Sequence, residues 1–241
     1  MPQYFIDEKM ESGRVTEING DDFHHLVHVR RVKTGDGIYL RDNTGTLYAG
    51  WVAEISSASV KVEISSQAKY DSTLPRITLG MALLKHGNFE FVIQKSVELG
   101  ISRIVPLVTS RTISDIRSKE KEKLTRWIRI AEEAAKQSMR ADIPEIMPPQ
   151  KFEDFISMES SVKIITHPGD EGITFREAIA KSEGDAIIAV GPEGGFSPDE
   201  IRSAVEKGFV CVNFGETQLR AETAGIVLPA ILMYELGLRN D

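Results

Sequence analysis

The stretch IIAVGPEGGFSPDE, residues 187–200, decides the fold class of this 241-residue chain. Four apolar residues typical of a buried strand lead through a glycine-rich turn into the start of a helix, where Ser197 and Glu200 form a capping-box pattern around Pro198. Such a turn lets a ligand approach the backbone closely and offers it free amide groups. It matches neither the dinucleotide-binding nor the Walker pattern. It therefore predicts another kind of ligand site, with a tight turn that binds nothing as the alternative.

Apolar runs alternate with helical patterns on both sides of this stretch, from residue 76 onward. This alternation is typical of a mostly parallel sheet covered by helices on both faces, so the sequence predicts an α/β domain. We expect strands at 77–84, 103–109, 162–167, 185–190 and 209–214. We expect helices at 89–99, 119–139, 173–182, 198–207 and 221–236.

The first 72 residues have a different pattern, in which short apolar runs are separated by Gly, Asn, Asp and Ser. Val60, Val62 and Ile64 alternate with polar residues, which is the period of a half-buried strand. Residues 42–45 predict a hairpin turn. We therefore expect a small β-barrel domain with one short helix near 21–30. The predicted domains are 1–72 and 73–241.

The composition is that of an ordinary globular protein, with 41% hydrophobic and 27% charged residues, which excludes disorder as the main state. No run of about 18 apolar residues predicts a membrane-spanning helix, and the N-terminal residues lack the pattern of a signal peptide. The single cysteine, Cys211, excludes an internal disulfide framework and a cysteine-based zinc site. These features predict a cytoplasmic protein.

Positive charge is concentrated in two zones, although the chain carries a net charge of -7. Residues 73–140 hold 13 Lys and Arg against 7 Asp and Glu, and residues 141–241 hold 8 against 18. The second zone lies in the first domain, where residues 23–41 carry Arg30, Arg31, Lys33 and Arg41 against Asp36 alone. Such asymmetry can bring a polyanion to one surface, so RNA or DNA binding is one interpretation and a solvated surface is the other.

A second loop, NFGETQLRAETA at residues 213–224, opens the last helix. Loops at the carboxyl ends of neighbouring strands face the same crevice of an α/β sheet. We therefore expect this loop and residues 191–195 to line one pocket. The alternative is a helix start capped by Thr217 or Thr223, with Arg220 and Glu222 as a surface ion pair.

A metal site is not predicted. His24 and His28 are four residues apart on the expected short helix, but no third ligand motif accompanies them. The adjacent basic residues make contact with phosphate a better interpretation for this segment.

Taken together, these segments resemble the RsmE family, the 16S rRNA uridine N3-methyltransferases of the SPOUT class. GPEGG at 191–195 and LRAETA at 219–224 are similar to its two signature loops, and QKSVELGI at 94–101 to an earlier motif. HHL at 24–26 and the Arg126-to-Arg140 helix pattern extend the resemblance over nearly the whole chain. Thr217 and Gln218 depart from it, because the family usually has arginine and a branched apolar residue there.

The resemblance implies a PUA-like barrel followed by a SPOUT domain with a deep C-terminal trefoil knot. It implies S-adenosylmethionine as the methyl donor, a homodimer with the active site at the subunit interface, and uridine 1498 of 16S rRNA in the small ribosomal subunit as the target. Two other functions remain open: a non-catalytic RNA-binding protein of the same fold, and a small-molecule enzyme that holds a nucleotide in the glycine loop.

The expected site residues fall into three groups. Arg220 is the candidate for stabilising charge on the uracil, and Glu193 and Glu222 are the candidate proton acceptors. The expected RNA contacts are His25, Arg30, Arg31, Lys33, Arg111 and Arg140. The expected cofactor contacts are Thr166, His167, Gly191, Pro192, Gly194, Gly195, Phe214, Gly215, Leu219, Thr223 and Ala224.

Overall fold

A computed structural model of the chain forms two compact units. Unit 1 comprises residues 1–72 and 139–142, and unit 2 comprises residues 73–138 and 143–241. Arg140 therefore falls in unit 1, whereas the sequence assigned it to the second domain. The structure describes residues 3–42, 46–68, 75–112, 119–138, 140, 142–167, 173–179, 184–213 and 217–237.

Unit 1 is built on a five-stranded sheet in the order β1-β3-β4-β5-β2. Its neighbouring strands are antiparallel except for the parallel pair of β1 and β3. The described pairings do not join β1 to β2, so within this part of the chain the sheet is open rather than a closed barrel. The strands are β1 (Gln3–Phe5), β2 (Val15–Asn19), β3 (Gly37–Arg41), β4 (Leu47–Ile55) and β5 (Ser59–Ala68).

The short helix expected near 21–30 is present in two parts. The α-helical turn α1 (Gly20–His24) continues into a π-helical turn over His25–Val29, where the Arg30 amide donates to the His25 carbonyl at 2.9 Å. Leu26, fully buried, anchors this segment in the core of unit 1 with the alternating residues of β5. The hairpin turn predicted at 42–45 lies mostly outside the described residues.

Unit 2 contains a parallel seven-stranded sheet in the order β12-β10-β11-β6-β7-β8, with β9 also paired to β7. All five predicted strands are present. All of β11 is buried, which agrees with the continuous apolar run expected of a strand covered on both faces. The strands are β6 (Ile77–Ala82), β7 (Arg103–Val108), β8 (Glu145–Ile146), β9 (Gln150–Lys151), β10 (Val162–Thr166), β11 (Ala186–Val190) and β12 (Val210–Val212).

Each of the five helices predicted for unit 2 is present, within a few residues of its expected ends. An additional short helix, α4, follows β9 and buries both of its phenylalanines. The trefoil knot implied by the resemblance stays a prediction. The helices are α2 (Asn88–Glu98), α3 (Glu120–Gln137), α4 (Phe152–Phe155), α5 (Phe175–Ile179), α6 (Pro198–Glu206) and α7 (Ala221–Gly237).

Candidate functional site

A cavity of about 910 Å³ lies in unit 2 at the carboxyl ends of β6, β7, β10 and β11. Its volume is within the range of small-molecule sites, and its position is where ligands bind in open α/β sheets. The two loops predicted to share a pocket both line it. The lining residues are Lys85, His86, Asn88, Arg111, Thr166, Val190, Gly191, Pro192, Glu193, Gly194, Gly195, Gln218, Leu219, Arg220, Ala221, Glu222 and Ala224.

The loop over residues 191–195 owes its tight shape to two glycines. Gly195 has φ +68°, a left-handed conformation that favours glycine, and its amide donates to the Pro192 carbonyl at 2.8 Å. A Cβ atom at Gly191 would lie 3.2 Å from the carbonyl carbon of Gly195. Gly195 therefore needs the backbone freedom of glycine, and a side chain at Gly191 would crowd the backbone of the same loop.

Arg111, from the loop after β7, is hydrogen-bonded to the backbone of this glycine loop. Its Nη1 donates to the carbonyl oxygen of Gly194 at 2.7 Å and to that of Phe196 at 3.3 Å. Charge-assisted hydrogen bonds of this kind are stronger than neutral ones. The arginine expected to contact RNA phosphate is thus engaged with the backbone of the predicted cofactor loop.

Glu200, in the first turn of α6, links the end of the glycine loop to the loop that follows β7. Its carboxylate accepts the Ser197 amide at 2.7 Å in the predicted capping box, and also the amide of Ser110 at 2.7 Å and its hydroxyl at 3.0 Å. Burial alone would raise the pKa of Glu200, which is 7% exposed, but the hydrogen bonds from Ser197 and Ser110 outweigh burial and lower it. Glu200 is therefore a buried anion that ties α6 to the Arg111 loop.

Glu193 is held across the cavity by the loop that follows β6. The backbone amide of Lys85 donates to its Oε1 at 3.2 Å. Glu193, Arg220 and Glu222, the three predicted catalytic residues, line the same cavity. Arg220 is exposed, and its side chain makes no hydrogen bond or ion pair with any residue that the structure describes, so its guanidinium is available to a ligand.

Most of the expected cofactor contacts line this cavity, namely Thr166, Gly191, Pro192, Gly194, Gly195, Leu219 and Ala224. His167 and Thr223 are not among the lining residues. The Nδ1 atom of His167 is buried and has no hydrogen-bond partner within the described ranges. Phe214 and Gly215 lie outside the described residues.

Several lining residues were not expected from the sequence, notably His86, Asn88 and Gln218. The sequence does allow His86 and Asn88 to be placed at the cavity. The strand predicted at 77–84 ends just before them, and the carboxyl ends of parallel strands face the crevice. In the sequence, Gln218 stands out only as a departure from the family pattern.

The RNA contacts expected in unit 1 occupy different environments. Arg30, Arg31 and Lys33 are exposed. His25 instead shares a hydrogen bond of 3.0 Å with the hydroxyl of Tyr4, whose pKa burial raises to about 12. Arg140 pairs with Asp142 at 3.0 Å and leaves only 9% of its side chain exposed.

Metal-ligating side chains do not gather in groups of three or more anywhere in the described ranges. None of the described helices combines the length and the apolarity needed to cross a membrane.

Two family models match the chain. An RNA methyltransferase domain matches residues 72–233, and an RNA methyltransferase PUA domain matches residues 18–65. These matches confirm the predicted fold class, an α/β domain preceded by a PUA-like domain.

Individual relatives cover nearly all of the chain. The ribosomal RNA small subunit methyltransferase E of Mesomycoplasma hyopneumoniae is 31% identical over 95% of this chain and 97% of its own length. That of Bacillus subtilis is 29% identical over the full length of both. A solved structure of this enzyme from Neisseria gonorrhoeae, bound to S-adenosyl methionine, matches with a TM-score of 0.87 and 27% identity over 98% of each chain. The chain therefore belongs to the RNA methyltransferase family of the ribosomal RNA small subunit methyltransferases E.

Proposed function

We propose that this protein transfers a methyl group from S-adenosylmethionine to N3 of uridine 1498 in 16S rRNA of the small ribosomal subunit. The observation that carries the proposal is the cavity in which the 191–195 loop meets Arg220 and the start of the last helix. A substrate in the ribosome also implies a cytoplasmic location. The alternative, a non-catalytic RNA-binding protein, gives no reason for a cavity of this volume lined by both loops.

The cavity has the features that S-adenosylmethionine requires. The backbone of Gly191, Gly194 and Gly195 lines it, while Leu219, Ala221 and Ala224 provide apolar surface for a planar ring. The bound cofactor supplies an activated methyl group. The residues of the chain then have to hold the uracil so that N3 is aligned with that methyl group, and alignment alone can recover about 7–11 kcal/mol of the barrier.

Arg220 is the residue we assign to the charge that develops on the uracil. N3 becomes a good nucleophile only when its proton is lost, and the negative charge then spreads onto the two uracil oxygens. A guanidinium donates several hydrogen bonds in a fixed fork and stays charged. The Arg220 side chain, which has no partner among the residues that the structure describes, supports this role, whichever of Glu193 and Glu222 takes the proton.

Unit 1 is the part of the chain that we assign to RNA binding. Arg30, Arg31 and Lys33 are exposed there and can contact phosphates without breaking a described ion pair. The match to an RNA methyltransferase PUA domain supports this assignment. His25 and Arg140 contribute less, because one is bonded to Tyr4 and the other is nearly buried against Asp142.

We also propose that the protein acts as a homodimer through α7. This helix is apolar over most of its circumference, and Leu228, Leu232 and Leu236 are buried within unit 2. Ala221, Pro229 and Met233 are buried as well, whereas Ile226, Val227, Ala230 and Ile231 are only half-buried and Tyr234 is 65% exposed. A helix that is apolar all round is normally buried, so a second copy is the natural cover. Light scattering at micromolar concentration is expected to give about twice 26.8 kDa, and a monomer that methylates RNA contradicts the proposal.

The activity is tested with purified protein, S-adenosylmethionine and either 30S particles or naked 16S rRNA. Digestion to nucleosides followed by mass spectrometry is expected to give one 3-methyluridine per rRNA, mapped by the fragment that contains it. A methyl group on another atom or another base contradicts the proposed target. RNA binding without any methylated product favours the non-catalytic alternative.

A further inference from the structure

The loop after β6 makes a turn that its sequence does not favour. The Asn88 amide donates to the Lys85 carbonyl at 3.1 Å, and the two central residues, His86 and Gly87, have φ +56° and φ +80°. Two successive left-handed residues closed by this hydrogen bond define a type I′ turn. The first central position of such a turn favours Asn, Asp or Gly. Histidine enters the left-handed region more often than most side chains do, but it is not among the residues preferred at this turn position.

Packing does not explain why His86 occupies this position. Its side chain is exposed, it makes no hydrogen bond with any described residue, and it lines the cavity. Residues kept in sparsely populated backbone conformations cluster at functional sites. The observed outlier therefore leads to a hypothesis about what the imidazole does in the cavity.

His86 is the only imidazole among the described lining residues. The charged groups around it are the cations Lys85, Arg111 and Arg220 and the carboxylates Glu193 and Glu222. Oε1 of Glu193 already accepts the Lys85 amide. Imidazole is the side chain that most often transfers a proton to or from a reacting group in enzymes.

We propose that His86 accepts the proton from uridine N3 during methyl transfer. The N3–H bond breaks and its proton passes to the free imidazole nitrogen, while the N3 electron pair forms the bond to the methyl carbon. The carbon–sulfur bond of the cofactor breaks and its electrons stay on sulfur, which leaves S-adenosylhomocysteine. The exposed imidazolium then releases the proton to water. This inference rests on the proposed uridine methylation. In it, His86 takes the place of Glu193 and Glu222 as the proton acceptor.

Replacement of His86 by asparagine separates a catalytic role from a structural one. Asparagine suits the turn better than histidine does, so His86→Asn is expected to keep or raise the melting temperature. At pH 7, the single-turnover rate at saturating RNA and cofactor is expected to fall about 100-fold, the lower range for loss of a general base. His86→Gly, which also relieves the backbone, is expected to behave in the same way.

The pH profile identifies the role. General-base catalysis by His86 predicts an acid limb in the pH profile of the wild-type rate, and His86→Asn is expected to lose that limb. Gly87→Ala is the matched control, because it strains the same turn at a residue that does not line the cavity. It is expected to lower the melting temperature and to keep the acid limb of the profile.

Two results overturn this inference: a His86→Asn variant with the wild-type rate, or a slower variant that retains the acid limb. In either case the wild-type protein still forms 3-methyluridine, so the proposed function stands. If the wild-type protein forms no 3-methyluridine on any substrate, the proposed function fails, and the role of His86 fails with it.

Discussion

Arg111 and Gly194 are joined by a 2.7 Å hydrogen bond from the guanidinium to the backbone carbonyl. The bond links the loop after β7 to the glycine loop after β11, which are not adjacent strands in the sheet. A residue expected to bind phosphate therefore has a structural task at the edge of the cavity. Its effect on cofactor binding can be separated from any effect on RNA.

Replacement of Arg111 by alanine is expected to weaken S-adenosylmethionine binding about tenfold. The loss of a charge-assisted hydrogen bond costs roughly 1.5 kcal/mol, and about 1.4 kcal/mol corresponds to a factor of ten. Isothermal calorimetry without RNA measures this directly. Arg129→Ala is the matched control, because it removes the same charge from an exposed position on α3 that pairs with Glu133 at the surface, away from the residues that line the cavity. Equal affinities for the two variants would show that the Arg111 bond does not support the cofactor loop.

Gly194 is the glycine of this loop at which an added side chain can test cofactor binding with the least effect on folding. An added Cβ would meet only the Arg111 side chain, at an ordinary contact distance of 3.5 Å. Gly195 does not serve, because its φ of +68° makes any substitution strained. Gly194→Val is expected to fold normally and to lose about 1–3 kcal/mol of cofactor binding free energy through crowding.

The control for Gly194→Val is Gly237→Ala at the end of α7, where an added Cβ meets nothing within 4 Å. Both variants are compared by thermal melting and calorimetry. Wild-type cofactor affinity in a folded Gly194→Val protein would place the cofactor away from this loop.

Glu200 predicts a defined dependence of stability on pH. Because the folded state lowers the pKa of Glu200, its contribution is present above the unfolded value of about 4.3 and is lost as the pH falls through the lower folded value. Glu200→Gln is expected to cost about 1–3 kcal/mol of unfolding free energy at pH 7, since Ser110 and Ser197 lose part of their acceptor. Urea unfolding should show the difference between the two proteins shrinking below about pH 4. A difference that is constant with pH would contradict the ionised state of Glu200.

The sequence was sufficient to predict the main elements of unit 2. Long periodic segments such as α3 and the uninterrupted apolar run of β11 leave little choice of structure, and the helix start at Ser197 was confirmed with both of its capping hydrogen bonds. The two-residue strands β8 and β9 were missed, because two residues carry no periodicity. Their pairing depends on contact with β7, which is remote in sequence.

The site was predictable where sequence neighbours act together and not where a contact spans the chain. The glycine loop and the Arg220 loop were each visible as local patterns. The bonds of Arg111 to Gly194 and of Glu200 to Ser110 join residues about 80 to 90 positions apart, so no local pattern encodes them. The strained backbone of His86 was equally hidden, since the sequence does not show that its turn uses left-handed conformations.

Unit 1 is expected to bind RNA mainly through phosphates, so its affinity should fall as salt is raised. Each phosphate contact contributes about 0.7–0.9 to the slope of log affinity against log salt. The double variant Arg30→Ala and Lys33→Ala is expected to reduce that slope by about 1.4–1.8 and to leave cofactor binding unchanged. The control is Lys61→Ala, an exposed lysine of β5 that pairs with Glu54. An unchanged slope in the double variant would mean that this basic cluster does not contact phosphate.

Arg220 supports the sharpest prediction about the chemical step. Its exposed side chain has no bonding partner among the described residues, so Arg220→Ala should not lower the melting temperature appreciably. The loss of one charge-stabilising donor typically costs 100- to 1,000-fold in rate, on the order of 2.7–4 kcal/mol. We therefore expect the single-turnover rate to fall by about that factor at saturating RNA and cofactor, with both affinities nearly kept. Arg220→Lys retains the charge but loses the forked geometry, and it should recover only part of the rate.

An Arg220→Ala variant that turns over normally at saturating RNA and cofactor, with only its RNA affinity reduced, would reassign Arg220 to phosphate binding. A destabilised variant with a normal rate per folded molecule would remove Arg220 from the mechanism.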